Sequence, residues 1–175
     1  MAYLVLGFPI ISDMDYNKIQ NFRKDNDELF YNVVEPHFTL VFPSFNLNEQ
    51  EFIDEMKNNI KEINAFEFVI RCATINKDAF NDFYHSFLVP DEGFSKFIKL
   101  HDKLYSGKLL NELRLDIDFV PHIGIGNSTD KMKVKKTIDK WNSKPFEIKG
   151  IMNVLDIVKY ENDNIIPIER LNLTT

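Results

Sequence analysis

Glu35-Pro36-His37-Phe38-Thr39-Leu40-Val41 and Val120-Pro121-His122-Ile123-Gly124-Ile125-Gly126 decide how this chain is read. Each is a Pro-His step running into an apolar stretch, with a small residue two places after the histidine. A phrase duplicated around an ionisable ring points to two imidazoles meeting at one site. Two facing imidazoles are the minimal equipment for acid-base chemistry on a phosphate ester.

The elements around the phrases also repeat. A strand at 3–8 leads into a polar segment, 13–28, with Tyr16, Ile19 and Phe22 at helical spacing. The first phrase is a strand ending near Phe42-Pro43. Asn48 caps a helix with the stripe Phe52, Ile53, Met56, Ile60 and Ile63, and Phe66 to Ile70 opens another strand. The order then recurs. Phe83 to Val89 is a strand, and Asp91 is expected to cap a helix that Gly107 stops. The second phrase follows, then a helix from Asp130 bearing Val134, Ile138 and Trp141. Phe146-Glu147-Ile148 opens a strand, and a hairpin turns at Glu161-Asn162-Asp163-Asn164.

The expected fold is therefore α+β and bilobal. It is one domain over 1–175 built from two pseudo-symmetric repeats, roughly 1–76 and 80–175, with interleaved lobes. Antiparallel or mixed sheets face a central cleft, helices lie outside, and each histidine strand is an inner strand of its lobe. Strand alternation puts His37 and Thr39 on one face, with Phe38, Leu40 and Phe42 on the other. It likewise puts His122 and Gly124 opposite Ile123 and Ile125.

Composition bounds the function. The 175 residues are 44% hydrophobic, with sixteen phenylalanines, which is ample for a packed core. The single cysteine, Cys72, cannot form an internal disulfide, so a cytoplasmic location is expected. Tyr3-Leu4-Val5-Leu6-Gly7-Phe8 reads as a strand and not a secretory signal, and no apolar run reaches membrane-spanning length. No membrane partner is expected. A net charge of −6 argues against long duplex nucleic acid and leaves a small nucleotide or an RNA terminus. The run Lys131, Lys133, Lys135, Lys136, Lys140 and Lys144 is either a solvated helix face or a cationic rim near the second phrase. A monomer is expected.

The pair of phrases resembles the two-histidine phosphoesterase superfamily, which includes 2′-5′ RNA ligase-like proteins and cyclic nucleotide phosphodiesterases. Pro36-His37-Phe38-Thr39-Leu40-Val41-Phe42-Pro43 looks like its first motif and Pro121-His122-Ile123-Gly124-Ile125 like its second. The resemblance implies a metal-independent phosphodiesterase acting on a 2′,3′-cyclic phosphate or 2′-5′ linkage of RNA ends or small nucleotides, or a 2′-5′ RNA ligase by reversal. His37 and His122 would exchange protons, Thr39 would bind the phosphate, and no cofactor would be needed. The departure is Gly124, where the family carries Thr or Ser. A backbone N–H there could bind the oxyanion instead, or catalysis could be lost and a binding module remain.

Other residues have plainer readings. His85 is a candidate substrate contact or else a buried or edge residue, and His101 on an apolar helix stripe is structural. No His-Glu-x-x-His or Cys-x-x-Cys pattern supports a metal site.

Overall fold

The computed structural model describes residues 2–162 and 164–174. The elements in order are β1 (Ala2–Gly7), β2 (Ile10–Ile11), α1 (Asp13–Asn26), β3 (Phe38–Ser44), α2 (Glu49–Asn59), β4 (Phe66–Lys77) and β5 (Tyr84–Glu92). After them come α3 (Phe94–Leu104), a 3₁₀ helix (Gly107–Glu112), β6 (Ile123–Ser128), α4 (Lys131–Asn142), β7 (Ile148–Met152), β8 (Val154–Glu161) and β9 (Asn164–Asn172). They form the expected α+β architecture with two antiparallel sheets. Among the described residues no helix is long and apolar enough to cross a membrane.

The strands of the two halves are interleaved. The four-stranded sheet runs β3-β1-β8-β9 and the five-stranded sheet β2-β7-β4-β5-β6. Both histidine strands are thus edge strands, not inner ones. Proline explains this: Pro36 and Pro121 lack an N–H and suit the start of an edge strand, where no neighbour needs that donor.

The local signals mostly agree with the sequence. Asn48 caps α2 in a full capping box with Glu51, and Asp130 caps α4 by accepting from the N–H groups of Met132 and Lys133. Asp91 does not cap α3. It stays in β5 and pairs with Arg71 at 2.9 Å, while Gly93 takes the N-cap position at φ 83. That left-handed conformation suits glycine, and a Cβ there would lie 2.8 Å from the Phe68 Cβ. The closing hairpin joins β8 to β9 with Glu161 opposite Asn164 and Asn162 at φ 51, and Asp163 lies outside the described residues.

Aromatic rings fill the main core between the sheets and helices. Phe38 stacks on Phe97 with centroids 4.2 Å apart and meets Phe68 edge-on at 5.4 Å. A smaller apolar cluster of Ala2, Leu4, Leu6 and Val158 lies on the other face of the four-stranded sheet, and Leu4 and Leu6 line the cleft.

β3 carries a bulge. Leu6 pairs with Thr39 but Val5 pairs with Val41, so Leu40 is the extra residue. Val41 consequently turns into the core, and Phe42, expected on the core face, lines the cleft beside His37 and Thr39. α3 secures this edge. His101 donates from Nδ1 to the Leu40 carbonyl at 2.9 Å, and the Tyr105 hydroxyl accepts from the Phe42 N–H at 2.9 Å. His101 is structural, as its helix stripe implied. Its ring lies flat on Phe119 at 3.6 Å, and burial lowers its pKa.

One buried ion pair joins α1 to β6. Arg23, 1% exposed, donates to the Asp27 carboxylate at 2.9 Å and to the carbonyls of Phe30 and Val34. Asp27 in turn accepts from Asn127 of β6, whose own carbonyl oxygen accepts from the Glu28 and Leu29 N–H groups. Asp27→Ala strands a guanidinium in the interior and is expected to cost about 3–5 kcal/mol in a urea titration. A loss below about 1 kcal/mol, the worth of an exposed pair, would mean that the remaining carbonyl partners suffice for Arg23.

Candidate active site

The two histidine edges border one cleft of about 460 Å³ that His37, Thr39, His122, Gly124 and His85 all line. The sequence-derived candidates are therefore brought together. His37 ends the approach to β3 and His122 the approach to β6, each immediately before its strand's first residue.

Both rings are held the same way. His37 Nδ1 lies 2.7 Å from the Glu35 carbonyl oxygen, and His122 Nδ1 lies 2.7 Å from the Val120 carbonyl oxygen. A carbonyl only accepts, so each Nδ1 carries a proton and donates it. The accepting carbonyl belongs to the residue before the proline, which the pyrrolidine ring biases toward an extended conformation. In the neutral ring Nε2 is then the basic nitrogen. On His37 it lies 3.2 Å from the Thr39 hydroxyl.

The environments of the rings differ. His122 lies on the Phe87 ring at 3.4 Å and 16°, whereas His37 meets Phe8 at 6.0 Å in a tilted contact. The stack continues beyond Phe87 to His85 at 5.7 Å and to Phe30 at 6.5 Å. His85 donates from Nε2 to Asp78 at 2.8 Å. Burial alone would raise the Asp78 carboxyl, but hydrogen bonds from the Phe80 N–H and His85 outweigh it and hold it below its ordinary value.

His37 and His122 are each half-buried where they line the cleft. Loss of hydration lowers His37 to about 4, opposed by the Glu35 carbonyl, with Arg23 adding to the lowering and Asp27 opposing it. Loss of hydration likewise lowers His122 to about 4, against the Val120 carbonyl and with help from His37 and His85. The charge of His37 is thus felt at His122 across the cleft.

Gly124 is not imposed by packing. A Cβ built there meets nothing within 4 Å, so the second hydroxyl of the usual pattern is absent from a place with room for it. The lysines of α4 do not rim the cleft. Lys133, Lys136 and Lys140 line a separate shallow groove with Phe22 and Asn26 of α1. The cations that line the cleft are Arg23, paired with Asp27, and Lys77, which reaches Asp82 at 3.6 Å. Among the described residues no three His, Cys, Asp or Glu side chains are grouped to hold a metal ion. Phe30, Phe80 and Phe87 also line the cleft and were not singled out from the sequence. Phe30 and Phe80 sit in irregular segments without periodicity, and only strand alternation with His85 could have found Phe87.

Imidazoles that titrate near 4 when folded and at 6.5 when unfolded make the unfolded chain bind more protons between those values. Their contribution is complete above pH 6.5 and is lost as pH falls through 6.5 toward 4. Urea midpoints should drop across that window, and His37→Gln with His122→Gln should flatten the drop. An unchanged slope in the double variant would place the acid sensitivity elsewhere.

The model of the 2′-5′ RNA ligase superfamily matches residues 11–164. No curated protein sequence matches the chain. Among solved structures, Escherichia coli LigT complexed with NADP+ is similar over 99% of this chain and 98% of its own, at 12% identity and a TM-score of 0.61. TT0787 of Thermus thermophilus is similar over 99% and 98%, at 12% identity and 0.62. Usb1 of Kluyveromyces marxianus is similar over 98% and 97%, at 10% identity and 0.57. These likenesses carry the fold, and the match over residues 11–164 carries the family: the chain belongs to the 2′-5′ RNA ligase superfamily, a branch of the two-histidine phosphoesterases.

Proposed function

We propose that the chain is a phosphodiesterase that opens a 2′,3′-cyclic phosphate or 2′-5′ phosphodiester at an RNA end or on a small nucleotide, without a metal or other cofactor. The observation that carries this is the matched pair of imidazoles, each fixed at Nδ1 by a carbonyl 2.7 Å away, with Nε2 left for chemistry in one cleft. LigT has been crystallised with NADP+, 3′-AMP and ATP, which supports a nucleotide as ligand.

In hydrolysis, the neutral Nε2 of one histidine takes a proton from water as the water oxygen bonds to phosphorus. The bond from phosphorus to the leaving ribose oxygen breaks, and the other histidine, protonated, delivers its Nε2 proton to that oxygen. Two protons move and the pair ends with its protonation exchanged. With a ribose hydroxyl in place of water, or in the reverse direction, the same steps give transfer or ligation. Thr39 donates to a non-bridging oxygen where charge grows. A monomer in the cytoplasm fits the acidic composition and the lone, partly buried Cys72.

His37→Ala and His122→Ala should each lower turnover of a 2′,3′-cyclic nucleotide by about 10²–10⁴-fold, with EDTA present throughout. Undiminished turnover in either variant sinks the assignment. Because both rings are held near 4 in the free enzyme, kcat/KM should rise as pH falls from about 7 toward about 5, while kcat should peak nearer neutrality.

The open space at Gly124 favours a second reading, in which the cleft binds a nucleotide end but no longer turns it over. Gly124→Thr separates the two, because a Cβ at this position meets nothing within 4 Å. If the wild type is an enzyme that relies on a backbone donor there, the variant keeps its turnover or gains on it. If catalysis was lost with the hydroxyl, the wild type binds without turnover and Gly124→Thr restores it.

A further inference from the structure

The two histidines stand on different sheets, so strand pairing within either sheet does not set the span between them. His37 leads into β3 of the four-stranded sheet and His122 into β6 of the five-stranded sheet. One buried set of side chains runs from the second edge to the first. Asn127, 3% exposed on β6, donates to the Asp27 carboxylate and accepts from the Glu28 and Leu29 N–H groups at 3.2 and 3.3 Å. Arg23 holds Asp27 at 2.9 Å and donates to the Val34 carbonyl at 2.8 Å. The next carbonyl along the chain, that of Glu35, is the one that His37 Nδ1 engages.

Arg23 and Asp27 line the cleft, yet both are already engaged. The Arg23 Nε goes to Asp27, Nη1 to Gln20 at 3.0 Å, and Nη2 to the carbonyls of Phe30 and Val34. The other Asp27 oxygen accepts from the Phe30 N–H at 3.0 Å and from Asn127. A buried guanidinium with every nitrogen occupied fixes the segments it bridges and leaves no fork for a phosphate. The charges of the pair do reach His37, where Arg23 lowers its pKa and Asp27 raises it. Gly126 shows how closely the parts fit. A Cβ there would lie 3.0 Å from the Asn26 carbonyl oxygen, so its absence lets the end of α1 settle on β6.

We propose that Arg23, Asp27 and Asn127 form a brace that sets the separation of His37 and His122 across the cleft. This rests on the paired-histidine reading and adds to it the residues that hold the pair at its working span. All three are positioning residues, acting through the backbone on either side of the cleft.

Asn127→Ala opens the β6 end of the brace. Arg23→Lys keeps a buried charge for Asp27 but loses the fork that reaches Val34. Each should lower kcat on adenosine 2′,3′-cyclic phosphate by up to about 10²-fold, the cost of a displacement near 1 Å, with KM nearly unchanged. The deciding arm repeats the substitution beside His122→Ala, where no pair is left to space. There Asn127→Ala should cost no further turnover, because residues acting as one unit are not additive. An equal fold-loss in both backgrounds, which simple loss of folded protein would give, overturns the brace, as does no loss in the wild type. Where Asn127→Ala does not fold, Arg23→Lys runs the same cycle. If the wild type turns over no cyclic ester, the phosphodiesterase reading fails and the cycle is read as 3′-AMP affinity by calorimetry. Weaker binding on Asn127→Ala in the wild-type background but not beside His122→Ala upholds the brace, and equal weakening in both overturns it.

Discussion

Two carbonyl oxygens fix the tautomers of the two histidines in the cleft. Those of Glu35 and Val120 each accept from the Nδ1 of a histidine two residues on. A neutral imidazole has one N–H, and the carbonyl consumes it, so Nε2 is the nitrogen left to exchange protons. The intervening prolines make the arrangement local: they bias the preceding residue toward extended backbone and need no donor of their own. Each ring is thus tied at Nδ1 by its own chain segment, and the sheets supply its position and, for His122, the Phe87 ring it lies on. The sheets then have a single task, to bring two such segments to one cleft.

Edge strands suit that task and carry a liability. An edge can face another edge across a groove, whereas an inner strand is flanked on both sides. An edge also leaves polar backbone open to unwanted pairing. On β3 this liability is met by the bulge at Leu40 and by α3, whose His101 and Tyr105 bond the Leu40 carbonyl and the Phe42 N–H. Burial pushes the Tyr105 phenol up to about 12, so it keeps its proton in ordinary solution. His101 therefore protects the strand that His37 immediately precedes.

The histidine pair was legible because it was written twice in nearly the same words. Local capping at Asn48 and Asp130 was legible because an amide or carboxylate beside a helical stripe has few other uses. Phe42 was misplaced because alternation assumes an unbroken ladder, and one extra residue at Leu40 reverses the faces of Val41 and Phe42 before a second register shift ahead of Ser44. Asp91 looked like a cap, but Arg71 on the neighbouring strand competes for the same carboxylate, and that partner is distant in sequence. Strand order was beyond local pattern, since β1 lies between β3 and β8, drawn from opposite halves of the chain. Phe30 and Phe80 were invisible for a related reason: their positions come from Asp27 and Asp78, and nothing periodic marks the segments that hold them.

Charge explains how an acidic chain can handle a phosphate. Its cleft is not a basic funnel, because Arg23 is spent on Asp27 and the α4 lysines line another groove. The walls are largely apolar, and loss of hydration leaves both imidazoles neutral until an anion arrives. On the proposed reading, an incoming phosphodiester would supply the negative charge that draws a proton onto one ring, and the first proton would then discourage a second on its neighbour. One neutral and one protonated histidine is the state that acid-base catalysis requires. In that reading the state arises from the substrate's own charge acting on two neighbouring rings, and the largely apolar cleft walls add contacts that are indifferent to charge.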